Sequence, residues 1–585
     1  MQALFKNKSR RILAILKMLP LLALLVSLCA CSSGAGDGGA SGSSAGTASD
    51  GTTQNASDGT AASAASSTAA TTDASEEPDT SRYLVAVEDE PDTVDFQRTT
   101  LHYTIAQNVF DRLVEMDFNA RGEVSVMPSL AKSWEISDDR CRYTFHLREG
   151  VTFSNGSPLT AEDVGFTLTR LLAHPDSNNR DIAESIKGAA KLESGETDEL
   201  EGFEAISDLD FVITLEEPFE AFLACMSMPG ASIMDAESVE KVGDQFGMNP
   251  ESAVGTGPFI LREWNPGEGM ILVANPDCWS GRPQCEGLDL RFLTEAETVR
   301  ELFENGEMDI LDLDELGNYA EYYIHGDIYQ DRLHKVQQIG IAYLALNESI
   351  EPLQDERVRK ALQLSLNRIV LLDAVDSGRG YVENGIYPHG LIGFNPELPE
   401  IPYDPDQARA LLALAGYEDG FDLTITIRSS SPSWYMTLAT LAAHMWEEIG
   451  VRAHIRPMEE SEFMRLRKSG EIACYPATWI ADYDDPDNFI YTFFGSPENT
   501  TFRSLCYPDK AVMERVRKAR AIADSKDRIA EYQALEERIV QEDAAWIPLF
   551  SRQRYYVTSE RVEGFRASWN GSVKNNYRRM SIKAG

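Results

Sequence analysis

The sequence predicts an α/β fold divided into several lobes. Strand-like and helix-like segments alternate in the second half of the chain, as in FDLTITI (421–427), TLATLAAHMWEEIG (437–450) and VRAHIRPM (451–458). Such β-α-β alternation is typical of helices packed on a largely parallel sheet. About 500 residues follow a low-complexity N-terminal region. That length is too great for one hydrophobic core, so we expect two or three lobes.

The chain begins with the pattern of a secretory signal peptide, over residues 1–30. Basic residues precede an apolar run from Met18 to Ala30, which is shorter than the roughly 20 residues of a membrane span. The run ends in a small residue followed by Cys31, and it resembles the bacterial lipobox, where the cysteine becomes the lipid-modified first residue. We therefore expect Cys31 to be a lipid anchor. Ordinary cleavage beside an incidental cysteine is the alternative.

Residues 31–81 predict a disordered tether. They are mostly Ser, Gly, Ala, Thr and Asp, with almost no large apolar side chain. Such a segment buries too little surface to offset the entropy of ordering. We therefore expect the folded body to be tied flexibly to a membrane surface, facing outside the cytoplasm.

The charge excludes nucleic acid as a partner. The net charge is −41 at pH 7, and loss of the five basic residues in residues 1–30 takes it to −46. Nucleic-acid binding needs a basic surface. An acidic surface instead modestly favours cationic ligands by long-range steering.

No motif in the chain predicts catalysis, a metal or a cofactor. The cysteines lack CxxC spacing, no two histidines stand at i and i+4 around an acid, and neither a nucleophile motif nor a P-loop is present. Cys278 and Cys285 bracket a turn, and a local disulfide between them is an open alternative. The composition therefore favours a binding protein over an enzyme.

The first half of the body predicts strands joined by turns, with two helices. Thr160 begins the second helix as its N-cap, with Asp163 three residues later. The predicted strands are 83–87, 134–136, 143–147, 211–215 and the pair on either side of NPGEG (265–269), and a helical apolar period covers 101–115.

The second half predicts longer elements. IAYLALN (341–347) is a strand, DERVRKALQLSLNRIVLLDAV (355–375) a single amphipathic helix, and DQARALLALAG a helix that ends at Gly416. With the three segments above, these elements make an α/β lobe.

The order of these segments resembles that of the large bacterial extracellular solute-binding proteins of ABC importers, family 5. The matching motifs are SLAKSWEISDD, YTFHLREGVTFSNGSPLTAEDV, GTGPFILREW with NPDCW, LALNESIEPLQDERVRKALQLSLNR, YDPDQARALLALAGY and TWIADYDDPDNF. They run colinearly over nearly all of residues 83–565. One departure is Cys278, where the family commonly has Tyr.

The resemblance implies a periplasmic-binding-protein-like fold with three domains and a hinge. Domain I would be discontinuous, domain II an inserted lobe, and domain III the second ligand-binding lobe, with ligand enclosed between domains I and III. The implied boundaries are 82–115, 255–335 and 555–585 for domain I, 116–254 for domain II and 336–554 for domain III.

The stretch TWIADYDDPDNF (478–489) carries the predicted binding site. In peptide-binding members of this family, an aspartate at the position of Asp482 pairs with the α-amino group of the peptide. The resemblance therefore implies the same role for Asp482. Trp479, Ala481 and Tyr483 would line the site and lower the local dielectric. Backbone groups of this loop and of the strand 341–347 would bond the peptide main chain. The alternative is that Asp482 only caps a turn before a proline.

The carboxylate end of such a ligand is harder to assign. Dipeptide-binding relatives use an arginine near the end of the strand matching 421–427, and an ungapped count places that position at Ser429. Arg428 is one residue away, so it is a candidate ligand residue, although a surface charge is the equal alternative.

These observations predict a monomeric, membrane-anchored binding protein that delivers peptides to the permease subunits of an ABC importer. The alternatives are a binding protein for another solute, such as a nickel chelate, haem or an oligosaccharide, and a surface signalling or adhesion protein without a transport role.

Overall fold

The computed structural model describes residues 80–99, 103–571 and 577–583, apart from the side chain of Asn318. The predicted signal peptide, Cys31 and residues 31–79 of the predicted tether lie outside these residues. None of the helices in the described ranges is long and apolar enough to cross a membrane.

The strands and helices alternate along the described body. The strands are β1 (Tyr83–Val87), β2 (Val114–Phe118), β3 (Val124–Pro128), β4 (Ala131–Ile136), β5 (Arg142–Leu147), β6 (Phe203–Ala205), β7 (Asp210–Thr214), β8 (Phe259–Asn265), β9 (Gly269–Ala274), β10 (Gly287–Arg291), β11 (Ile310–Asp312), β12 (Leu333–Gln337), β13 (Gly340–Leu346), β14 (Gly380–Val382), β15 (Phe421–Arg428), β16 (Val451–Met458), β17 (Cys474–Ile480), β18 (Trp546–Thr558), β19 (Val562–Glu563) and β20 (Ser581–Ile582).

The α-helices lie between these strands, and short 3₁₀ turns connect several of them. The helices are α1 (Tyr103–Val109), α2 (Ala161–Ala173), α3 (Ala189–Glu193), α4 (Phe222–Cys225), α5 (Ala236–Val242), α6 (Ala296–Glu304), α7 (Ala320–His325), α8 (Glu356–Leu364), α9 (Arg368–Asp376), α10 (Pro405–Leu414), α11 (Ser433–Glu447), α12 (Glu460–Lys468), α13 (Asp487–Phe494), α14 (Pro497–Phe502), α15 (Lys510–Ala519) and α16 (Ser525–Glu536).

The largest sheet has the order β11-β18-β13-β17-β15-β16, and β12 and β14 also pair with β18. Strands β15 and β16 are parallel over their whole length and are joined by α11, which confirms the predicted β-α-β unit. Every residue of β13 is buried. Its alternate side chains enter two hydrophobic clusters, Ile341 in one and Leu344 in the other, because successive side chains point to opposite faces of a strand.

Two smaller sheets come from the first half of the chain. Strands β8, β9 and β10 are antiparallel, and β1 adds parallel to β10. A separate antiparallel sheet has the order β4-β5-β7-β6. The predicted capping box is present at the start of α2, where the Asp163 carboxylate accepts the backbone N–H of Thr160 at 2.8 Å.

Two predicted helices differ from those observed. The helix predicted over 101–115 ends at Val109, because the carbonyls of Arg112 and Leu113 accept bonds from the segment that leads into β4. The single helix predicted over 355–375 is two helices, α8 and α9. Asn367 separates them, since its side chain caps α9 by accepting the Val370 N–H at 3.2 Å.

The described body forms one compact unit, and the boundaries of the three predicted domains stay a prediction. Strand β18 pairs with different strands along its length. Its first half pairs with β13, and its second half pairs with β11 and β12. Cys278 and Cys285 are both free and buried, so the local disulfide left open by the sequence is not formed.

Candidate functional site

The candidate site is the loop that leads from β17 to α13. Exposure alternates along this loop: Asp482 is exposed to solvent, whereas Ala481 and Tyr483 on either side are buried. The alternation therefore presents the Asp482 carboxylate to the surface and fixes the loop through its neighbours.

Asp482 is held by one residue, Asn488 in the first turn of α13. The Asn488 side-chain amide donates to Oδ2 of Asp482 at 3.0 Å, and its carbonyl oxygen accepts the Asp482 backbone N–H at 2.9 Å. No lysine, arginine or histidine of the described residues ion-pairs with Asp482. The carboxylate is thus oriented by an amide and keeps acceptor positions free for a donor from outside.

The environment of Asp482 raises the pKa of its carboxyl to about 6. Desolvation by the surrounding protein is the main cause, and the nearby charge of Asp181 adds to it. The bond from Asn488 and the positive charge of Arg503 oppose the rise. Asp482 is also exposed, so its carboxyl is partly desolvated by nearby protein and is still reachable from solvent. We call the surface around this carboxyl the cleft.

The acids that follow in the same loop are partnered differently. Asp485 is buried and accepts a bond from Arg528 at 2.8 Å. Asp487 is buried against Arg520 at 3.2 Å and accepts the Tyr532 hydroxyl at 2.9 Å. These two carboxylates are satisfied inside the fold, which leaves Asp482 as a candidate for a ligand.

Trp479 lies on β17 three residues before Asp482 and is half-buried. Its indole N–H donates to the Asn488 carbonyl at 3.1 Å, and its ring packs edge-on against Phe493 at 5.3 Å. Trp479 and Asp482 are therefore braced by the same residue, Asn488. A braced indole beside a carboxylate is a suitable wall for a ligand.

The other predicted site residues have different surroundings. Ala481 is 1% exposed and Tyr483 is 7% exposed, with Tyr483 packed into the hydrophobic cluster of the segment 113–233. Any role of these two residues in binding acts through the shape of the loop. Arg428 pairs with Glu460 at 3.1 Å near the surface. That pairing favours the surface-charge alternative, and the ligand role of Arg428 stays a prediction.

The backbone around the loop offers one open strand edge. The prediction that β13 bonds a ligand main chain is wrong, because β13 lies between β17 and β18 and its backbone is used on both sides. Strand β17 is different: beyond Cys474, where it meets Ile425 of β15, the described residues pair with it only on the β13 side. Its remaining edge can accept an added strand.

Residues from distant parts of the chain also act on Asp482 by their charge or are acted on by it. Asp181 lies close enough to Asp482 to raise its pKa, and Asp482 in turn contributes to the raised pKa of Tyr103. Desolvation raises the pKa of both Asp181 and Asp482, and the positive charge of Arg503 partly opposes that rise. Sequence reasoning missed these residues, since no local pattern marks them and only the fold brings them together.

Other candidate chemistry is sparse in the part of the chain that the structure describes. No group of three or more His, Cys, Asp or Glu residues there is arranged to hold a metal ion. A cavity of about 160 Å³ lies away from Asp482, between Glu383, His389 and Glu536. Burial raises the pKa of the Glu536 carboxyl to about 8.

Comparison with a family model gives a match over most of the body. Residues 125–501 match the middle region of the bacterial extracellular solute-binding proteins, family 5. This span exceeds half of the chain and includes the loop with Asp482.

Relatives of similar length support the same assignment. Di/tripeptide-binding protein 2 of Pseudomonas aeruginosa is 30% identical over 501 residues, which cover 83% of this chain and 92% of that protein. Heme-binding protein A of Haemophilus influenzae is 29% identical over 481 residues, which cover 80% of this chain and 86% of that protein.

A solved structure shows the same fold. The periplasmic binding protein DppA of Helicobacter pylori, in complex with the peptide STSA, superposes with a TM-score of 0.70 at 24% identity. The superposition covers 86% of this chain and 99% of that one. The predicted periplasmic-binding-protein-like fold is thereby confirmed.

Proposed function

This chain belongs to the bacterial extracellular solute-binding proteins, family 5, and from that membership we propose that it captures peptides and delivers them to the permease of an ABC importer. Membership of this family makes it a binding protein and not an enzyme. The di/tripeptide-binding relative supports a peptide as the ligand.

The observation that carries the proposal is the Asp482 carboxylate. It is oriented by Asn488, partly desolvated by the surrounding protein, and without an ion pair among the described residues. The α-ammonium group of a peptide would supply the missing charge and donate up to three hydrogen bonds. A buried ammonium is costly unless it is paired in this way, so the anchor selects for a free N-terminus.

The open edge of β17 supports peptide over other amines. A peptide lying along this edge would bond the free backbone groups of β17 beside Trp479, as an added strand does. Main-chain pairing does not read side chains, so one site would accept many sequences. Asp482 would fix the register by holding the first residue.

We further propose that the mature protein is held at the membrane through lipid on Cys31, followed by a flexible tether, and works as a monomer outside the cytoplasm. The small residue before Cys31 and the composition of residues 31–81 support this anchoring. Cys31→Ser should release the protein from the membrane fraction or leave it unprocessed. Processing and retention like those of the unaltered protein would contradict it.

Calorimetry with matched peptides tests the central proposal. Tri-alanine with a free amine should bind, whereas N-acetyl-tri-alanine should bind at least about 30-fold more weakly, because the carboxylate loses its partner. Asp482→Asn should cause a similar loss for the free-amine peptide alone. Asp484→Asn is the matched control, since that acid contacts the Ile392 backbone N–H at 2.7 Å instead of the cleft. Equal binding of both peptides with Asp482→Asn silent would point to a non-peptide solute.

A further inference from the structure

Arg503 is a half-buried cation beside the predicted amine anchor. It follows directly after α14, and its guanidinium carbon lies 4.6 Å from the centre of the Trp479 ring, 5.0 Å from that of Phe493 and 5.6 Å from that of Phe502. Arginine stacks well on aromatic faces. The rings therefore hold the guanidinium in one place.

Arg503 has no carboxylate partner in the part of the chain that the structure describes. Two arginines that bond acids of the loop at Asp482 do have one: Arg520 pairs with Asp487 and Arg528 with Asp485. Burial lowers the pKa of Arg503, although an arginine stays charged in proteins. A half-buried guanidinium without a carboxylate partner is partly withdrawn from water, so it is suited to an anion from outside.

Arg503 lies near the charged groups of the cleft and not inside the hydrophobic core. Its positive charge opposes the rise in the pKa of Asp482, which is near it in sequence, and in that of Asp181, which belongs to the first half of the body. Trp479, on which it stacks, is braced by Asn488, the same residue that orients Asp482. The cleft thus carries a carboxylate, Asp482, and a guanidinium, Arg503, and both are positioned through contacts that lead to Asn488.

We propose that Arg503 binds a carboxylate of the ligand while Asp482 holds its amine. This inference rests on the proposed peptide-binding function and deepens it. Because the anion site lies near the amine site, the carboxylate belongs to the C-terminus of a short peptide or to an acidic side chain close to the N-terminus. Arg428, paired with Glu460, is not needed for this role.

A simpler role for Arg503 is to balance the acids of the cleft. In that case its removal would leave the cleft more negative and would alter the binding of every free-amine peptide alike. A carboxylate-binding role predicts instead that the effect depends on whether the ligand carries an acid. The two roles are separated by ligands that differ only in that group.

The experiment is calorimetry of the purified protein and two variants, Arg503→Gln and Arg503→Lys, with Arg428→Gln as the matched control. The probes are Ala-Ala, Ala-Ala-amide, Ala-Glu-Ala-Ala-amide and Ala-Gln-Ala-Ala-amide. The unaltered protein should bind at least one acid-bearing probe about 10- to 100-fold more tightly than its uncharged match. Arg503→Gln should abolish this preference, Arg503→Lys should keep part of it, and Arg428→Gln should leave it unchanged.

The pattern of loss identifies the source of the carboxylate. A preference confined to Ala-Ala assigns the C-terminal group, and one confined to the Glu-containing probe assigns an acidic side chain. Equal binding of acid and amide by the unaltered protein, with a free amine still required, overturns the role of Arg503 and leaves the proposed function standing. Absence of binding by every probe and by tri-alanine overturns both. Should Arg503→Gln fail to fold, the comparison of probes on the unaltered protein and on Arg503→Lys decides.

Discussion

The loop from Asp482 to Asp487 has an outer and an inner part, and their carboxylates are partnered differently. In the inner part, Asp485 and Asp487 are buried against Arg528 and Arg520. In the outer part, Asp482 is exposed and is oriented by an amide alone. The difference teaches that acids a few residues apart can be held in different ways: the two inner ones are ion-paired inside the fold, whereas Asp482 makes no ion pair among the described residues.

The largest expected effect comes from breaking an inner pair. Asp485→Ala should lower the free energy of unfolding by about 3–5 kcal/mol, because it leaves the buried Arg528 guanidinium without its counter-charge. Urea unfolding followed by circular dichroism measures this. Asp484→Ala, which removes an acid with no arginine partner among the described residues, is the matched control. A loss below about 1 kcal/mol for Asp485→Ala would show that the inner acids do not hold the loop.

Substitution of Asp482, the outer acid, should affect peptide affinity strongly and stability only slightly. Asp482→Asn should change the free energy of unfolding by less than about 1 kcal/mol, since an amide can keep the bonds with Asn488 and no ion pair is lost. The same variant should lose peptide affinity about 30-fold or more. Unfolding and calorimetry on one preparation test both halves. A variant that loses stability and affinity together would make Asp482 a structural residue.

Peptide binding should also depend on pH through Asp482. The pKa of its carboxyl is raised to about 6 in the free protein, and an ammonium ligand binds the ionised form. Affinity should therefore be full above pH 7 and fall as pH drops through 6, by about tenfold at pH 5. Binding at pH 6 should release protons, which calorimetry in two buffers detects. Affinity that is flat between pH 5 and 7.5 would contradict an anchoring role for Asp482.

The smallest expected effect belongs to Arg428. Its pairing with Glu460 is partly exposed, and such surface pairs contribute little, about 0–1 kcal/mol. Arg428→Ala should therefore leave peptide affinity within about twofold and stability nearly unchanged. A selective loss of short peptides in this variant would instead restore Arg428 as the group that holds their carboxylate.

Much of the fold was predictable because its patterns are local. The alternation in β4 and β5, the cap at Thr160 and the β15-α11-β16 unit all follow from neighbouring residues. The break between α8 and α9 was missed because apolar spacing continues across Asn367, and only its capping bond ends the pattern. Pairing of β13 on both sides was missed because strand neighbours come from distant sequence.

The candidate site divides in the same way. Asp482 and Trp479 stand in one short motif, so the sequence was enough to select them. Asp181 and Arg503 are charged residues without any local pattern, and only the fold brings them to the cleft. The burial of Ala481 and Tyr483 and the pairing of Arg428 with Glu460 were also beyond the sequence, because tertiary contacts set them. The roles of all the site residues in binding stay predictions.

Strand β18 has a consequence for how the chain folds. It follows β11, β12, β13 and β14 in the chain, yet it is the strand on which all four pair. The largest sheet therefore cannot close until the chain as far as Thr558 has been made. Contacts between such distant segments form slowly, so we expect closure of this sheet to be a late step in folding.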